Sequence, residues 1–228
     1  QQHKRSLMTH AAPDILLEDN HCLAIAKPAG LLTMSDDTGD ETASDLARSY
    51  LREKYRKPGN VFLGVVHRLD RPVSGALLFA RTSKAASRLS DQFRRGAVRK
   101  TYLAAVEGRI NAGGGELIDW LSKDRSHNHV QVVQSTVPGA RECRLRYRVI
   151  ETGEDQTLLE ICPLTGRSHQ IRVQLANLGH PIVGDLRYGA RDALGARIML
   201  HAARLEFIHP TLKTDVKVEC HLPVEFEI

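Results

Sequence analysis

The hydrophobic and polar positions alternate between two periods along this chain. HCLAIAKP (21–28) is a short apolar run that Pro28 ends, which predicts a strand leading into an extended AGLLTM loop. SDDTGDE (35–41) is acidic and turn-rich. Thr42, with Asp45 three residues on, then fits a helix N-cap ahead of ASDLARSYLREKY. VFLGVVHRLD (61–70) starts as a buried strand and ends polar, and RPVSG (71–75) must turn because Pro72 cannot donate to a central ladder. GALLFAR (75–81) is a second apolar strand. Ala86, Leu89 and Phe93 form one face of a helix over 83–96, with Gly96 as its terminator. VRKTYLAAVEG (98–108) predicts a strand and NAGGGE (111–116) a loop.

The second half is richer in strands. HVQVV, CRLRYRVIE, QTLLEICP, LHAARLEFIHP and DVKVECHLP all carry strand patterns. One helix interrupts them within 165–181: Thr165 is placed to cap it, Ile171, Leu175 and Leu178 form its stripe, and Gly179 ends it. Strands outnumber helices and sit a hairpin's distance apart. That pattern predicts an α+β fold with a large, mainly antiparallel sheet, built as a single domain over 1–228 with a loose segment at 1–12.

Composition narrows the class. The 228 residues are 42% hydrophobic and 26% charged, as in an ordinary globular protein. No apolar run approaches the roughly 20 residues needed to span a bilayer, and the start lacks a signal-peptide core, so the expected location is the cytoplasm and no membrane is expected as a partner. The net charge of +5 suggests a polyanionic partner. Basic residues cluster at 48–57 and 94–100, and Arg144, Arg146 and Arg148 would share one face of a strand. The four cysteines are far apart, without ligand spacing, so neither zinc nor a disulfide framework is expected. His127, Asn128 and His129 spell HNH, too short a match to indicate a nuclease.

Three clusters carry candidate chemistry. HRLD (67–70) follows a hydrophobic strand, and an extended chain would point Arg68 and Asp70 the same way; a structural salt bridge and a catalytic site both fit. TGRSHQIR (165–172) places Arg167 in the expected first turn of a helix, where the macrodipole favours an acid instead, which suggests an anionic neighbour; a surface arginine is the alternative. Lys100 and Tyr102 share a strand face, where a tyrosine among cations suits base stacking, although half-buried strand tyrosines are common.

The motifs taken together resemble one family. HRLDRPVSGALLFART resembles the signature of the RluA family of RNA pseudouridine synthases. EDNHCLAIAKPAGLLT is similar to that family's first motif, with its Lys-Pro-x-Gly. KTYLAAVEG, LTGRSHQIRVQLANLGHPIVGDLRYG and LHAARLEFIHP are similar to its later motifs, in the same order. The resemblance implies the pseudouridine synthase fold: an eight-stranded mixed sheet with flanking helices and a central RNA-binding cleft. It implies Asp70 as the essential aspartate, Arg167 as its basic partner and Tyr102 as the residue stacking on the target base. Arg68 would displace the target nucleotide and Ile171 would floor the ring. Around them, His67, Lys100 and His169 complete the expected substrate-binding set, with no metal ligand. One departure is Val73, where the family commonly has threonine. Another is that no S4-like RNA-binding module is recognised ahead of the first motif.

The implied reaction breaks the uridine N1–C1′ bond and joins C5 to C1′, with no redox step, so no cofactor is expected. GNVFLG and NAGGGE match neither phosphate-loop nor dinucleotide spacing. The expected partner is RNA, ribosomal or transfer, and no obligatory protein partner is inferred. Two other readings compete: a catalytically silent RNA-binding protein on the same scaffold, and a metal-dependent hydrolase that would need a ligand spacing absent from the sequence.

Overall fold

A computed structural model describes residues 12–36, 38–111, 113–124 and 129–226. The expected loose segment at 1–12, all but its last residue, and the first two letters of HNH lie outside them. The strands are β1 (Asp14–Glu18), β2 (Cys22–Lys27), β3 (Gly64–Val65), β4 (Ser74–Ala80), β5 (Arg99–Glu107), β6 (Gly114–Asp124), β7 (His129–Val133), β8 (Arg141–Thr152), β9 (Gln156–Pro163), β10 (Leu200–Ile208) and β11 (Asp215–Glu219). The helices are α1 (Ala43–Lys54), α2 (Ser83–Arg94) and α3 (Gln170–Asn177). The α+β expectation and the mainly antiparallel sheet are borne out.

The described strands form one sheet of 11, in the order β1-β2-β4-β10-β5-β9-β8-β6-β7, with β3 beside β4 and β11 beside β10. That exceeds the eight implied by resemblance, since short strands such as β3, beside β4, and β11, beside β10, add to it. Of the named strand pairs only β4 and β10 run parallel, over His201–Ser74 and Ala202–Gly75. Gly75 makes this crossing possible: its φ is +120°, and a Cβ there would lie 2.4 Å from the Ala202 carbonyl oxygen.

Side-chain alternation gives the sheet two apolar faces. On β2, Leu23 and Ile25 join the core under α1, whereas Cys22 and Ala24 join the core under α2. Thr42 caps α1 in a capping box with Asp45, as the sequence predicts. The third helix differs from expectation. It begins at Gln170, its N-cap is His169 at φ 53°, and Thr165 bonds the Gln170 side chain and the Arg144 backbone instead. Arg167 therefore lies in the turn before the helix, and Arg172 is the cation in its first turn. β6 was not anticipated, because its glycines are poor strand formers and its exposed Ile118 breaks the alternation. No described helix is long and apolar enough to cross a membrane.

Candidate active site

Asp70 sits in the extended segment between β3 and β4, and the residues on either side of it are pinned. Thr33 Oγ1 accepts the Leu69 N–H at 3.1 Å and donates to the Leu69 carbonyl at 2.8 Å. Lys27, fully buried, donates to the carbonyls of Arg71 (3.2 Å), Pro28 (2.9 Å) and Leu31 (2.7 Å). Burial draws the Lys27 pKa down to about 7, and the charge of Asp70 pulls the other way. The Lys-Pro-x-Gly strand end thus holds the Asp70 loop through the Arg71 carbonyl.

A cavity of about 410 Å³ opens over Asp70. The HRLD segment, α2, β5 and the 163–172 stretch contribute to its lining, including Arg68, Phe93, Lys100, Tyr102, Ile171 and Arg172. Arg172 is the partner of Asp70: Nη1 reaches Oδ2 at 3.2 Å. Its remaining nitrogens bind Asp185 bidentately, Nε at 2.6 Å and Nη2 at 2.8 Å. The Arg172 and Asp185 side chains are only 6% and 2% exposed, against 25% for Asp70. Burial opposes the guanidinium charge, but Asp185 and Asp70 outweigh it and hold the Arg172 pKa up. The Tyr188 ring covers the guanidinium at 5.0 Å.

The expectation that Arg167 pairs with Asp70 is corrected here. Arg167 is exposed and its Nε donates to the Glu142 carbonyl at 3.3 Å, because the helix starts four residues later than the sequence suggests. It lines the cavity mouth without touching Asp70. Sequence reasoning passed over Arg172 and Asp185; the available signal was Arg172 at the end of the TGRSHQIR cluster and an acid in VGDLRYG.

His67 is also re-cast. Its Nε2 accepts the Leu78 N–H at 2.9 Å and its ring stacks on Phe93 at 4.5 Å, so it holds the loop against β4 and α2. Burial, with the charge of Lys100, pulls its pKa to about 3. His169, only 7% exposed, faces Asp70 with Nε2 3.8 Å from Oδ2. Burial and, to a lesser degree, the Asp70 charge raise the Tyr102 pKa, keeping the phenol neutral. Lys100 makes no ion pair among the described residues, and burial lowers its pKa.

Among the described residues one group, Asp19, Cys22 and His209, brings possible metal-ligand atoms within 4.8 Å of one another. Its atoms already have other work. His209 Nδ1 accepts the Thr211 and Leu212 N–H groups, so Nε2 carries the proton and donates to Asp19 at 3.0 Å. Burial pushes the Cys22 thiol up to about 12. This is a clasp between β2 and the end of β10.

A sheet split by a pinned aspartate loop, with a guanidinium behind the acid and an aromatic cleft in front, is the arrangement of an RNA-modifying isomerase. The RNA pseudouridylate synthase family model matches residues 21–177, and the chain belongs to that family, in its RluA branch, as an RNA pseudouridine synthase. It is 34% identical to the uncharacterized RNA pseudouridine synthase YhcT of Bacillus subtilis, over 94% of this chain and 70% of that one. It is 36% identical to the dual-specificity RNA pseudouridine synthase RluA of Vibrio vulnificus, over 86% of this chain and 78% of that one. Among solved structures, human RNA pseudouridylate synthase domain containing 1 superposes with a TM-score of 0.75 at 29% identity, covering 92% of this chain and 83% of that one.

Proposed function

We propose that Asp70 is the carboxylate that acts on the target uridine, and that the substrate is a structured ribosomal or transfer RNA. The observation carrying this reading is the asymmetry at Asp70. Arg172 and His169 both approach Oδ2, and among the described residues none reaches Oδ1. Oδ1 is left as the oxygen available to a ligand in the cleft.

The carboxylate must be ionised to serve either as nucleophile toward the sugar or as a base toward it. Arg172 favours the charged form, and its bidentate grip on Asp185 keeps it in place. The target nucleotide must leave its stack, which costs a few kcal/mol. Arg68 fills the vacated space, Tyr102 stacks on the extruded base, and Ile171 floors it; stacking is worth roughly 1–3 kcal/mol per base. Lys100, Arg94 and Arg167 around the cleft take RNA phosphates. The names of the relatives, one a dual-specificity RNA pseudouridine synthase and one a ribosomal large subunit enzyme from Vibrio cholerae, support RNA as the substrate, ribosomal RNA in the second case. The reading carries a cytoplasmic location and needs no protein partner.

The test is purified Asp70→Asn on protein-free ribosomal and transfer RNA carrying tritium at uridine C5. The expected result is no tritium release above background, with RNA binding retained. Release at the wild-type rate would remove Asp70 from the chemistry.

A further inference from the structure

We infer that Tyr188 and His169 form a positioning pair for Asp70, in which the Tyr188 hydroxyl holds the imidazole in the tautomer whose Nε2–H faces Oδ2. This rests on Asp70 being the reacting carboxylate.

The protons can be placed from geometry. Tyr188 Oη lies 2.7 Å from His169 Nδ1 and accepts the Val130 N–H at 3.3 Å. A phenol has one proton to donate, and Nδ1 is the strong acceptor within reach. Nδ1 is then the acceptor, and the proton of the neutral ring sits on Nε2. That nitrogen is 3.8 Å from Asp70 Oδ2, an ion–dipole contact that can tighten when substrate closes the site. The other tautomer would turn a lone pair toward the carboxylate.

The surroundings fix both members. The Tyr188 ring is packed between Arg172 at 5.0 Å and His129 of β7 at 5.3 Å, with the His169 ring edge-on at 5.8 Å. His169 itself is held at φ 53°, a left-handed conformation that strains a non-glycine residue. Burial lowers the His169 pKa, Asp70 opposes this, and Arg172, Arg187 and Lys123 add to the lowering, so the site favours the neutral ring. Asp185 reaches the pair only through Arg172. With Arg172 and His169 both on Oδ2, the pair helps decide which oxygen is anchored and which reacts.

Tyr188→Phe keeps the ring and removes only the hydroxyl. At about pH 8 the single-turnover rate at saturating RNA should fall about tenfold, the worth of one neutral hydrogen bond, with RNA affinity unchanged. A defect in RNA affinity alone, or no defect, would overturn the inference. If Tyr188→Phe fails to fold, His169→Gln and His169→Phe replace it. The amide retains an N–H donor and should keep the rate within about threefold, whereas phenylalanine should lose about tenfold or more; equal rates would overturn the pair. Asp70→Asn in the same assay separates the two levels. If it turns over normally, the reading of Asp70 has failed; if it is inactive while Tyr188→Phe is normal, only the positioning pair has failed.

Discussion

Asp70 and Arg172 meet through one pair of atoms, Oδ2 and Nη1, 3.2 Å apart. Arg172 is held far more firmly by Asp185, through two shorter bonds. The buried acid therefore fixes the guanidinium, and the guanidinium presents a single nitrogen to the more exposed acid. Asp70 keeps one oxygen bound and the other available.

That division of labour predicts how Arg172→Lys fails. One ammonium cannot span two carboxylates, so either Asp185 or Asp70 loses its cation. Turnover should drop at least about a hundredfold, and unfolding in urea should show a loss of about 3 kcal/mol, the low end for breaking a buried ion pair. Arg167→Lys, by contrast, should retain most activity, since Arg167 is exposed and bonds only a backbone carbonyl near Asp70's cleft. Comparable losses in the two variants would contradict the assignment.

The threonine that brackets Leu69 gives a second prediction. Thr33→Val keeps the shape but leaves the Leu69 N–H and carbonyl without their side-chain partner, each about 1–3 kcal/mol when buried. The variant should lose about 2 kcal/mol by urea midpoint and several-fold in turnover, with RNA affinity intact. Thr33→Ser should restore both. A stable, fully active valine variant would show that the loop is held by other means.

The apolar patterning was enough to read the sheet's central strands and both early helices, because burial on two faces leaves long hydrophobic runs and capping residues mark the helix starts. The motifs carried Asp70, Tyr102 and the cleft. The arginine was misassigned because Arg167 and Arg172 occupy the same short cluster, and only the helix start decides which one points at Asp70. Thr165 looked like a cap, but its hydroxyl bonds Gln170 Oε1 and the β8 backbone. The bond between Arg172 and Asp185 spans 13 residues and a reversal of the chain, which no local period encodes. His67 read as a site residue because it adjoins Asp70, while its Leu78 and Phe93 partners become visible only once β4 and α2 are packed.

His67 also sets a pH dependence of stability. Its folded pKa of about 3 lies below the unfolded value of about 6.5. Above the unfolded value the ring is neutral in both states and nothing is lost. As pH falls from about 6.5 toward 3 the unfolded chain takes up a proton that the folded ring refuses. Stability should fall by up to about 1.4 kcal/mol per pH unit through that window. His67→Gln retains an acceptor for the Leu78 N–H and does not titrate. Its stability should decline less steeply between about pH 6.5 and 5 in urea titrations. Identical slopes for the two proteins would mean that the ring protonates freely in the fold.

Arg167 has a different measurable role at the cleft mouth. Its side chain is exposed there, and its contact with the Glu142 carbonyl leaves its charge uncompensated by any acid in that bond. A phosphate passing the mouth would take up that charge and release a counterion. Each such contact contributes roughly 0.7–0.9 to the slope of log affinity against log salt. Arg167→Gln should therefore weaken RNA binding at low salt, reduce the slope by about 0.7–0.9, and leave the single-turnover rate at saturating RNA unchanged. Filter binding from about 50 to 300 mM salt measures the slope. An unaltered slope would place the RNA backbone away from this rim, and a loss of rate with the slope intact would return Arg167 to the chemistry.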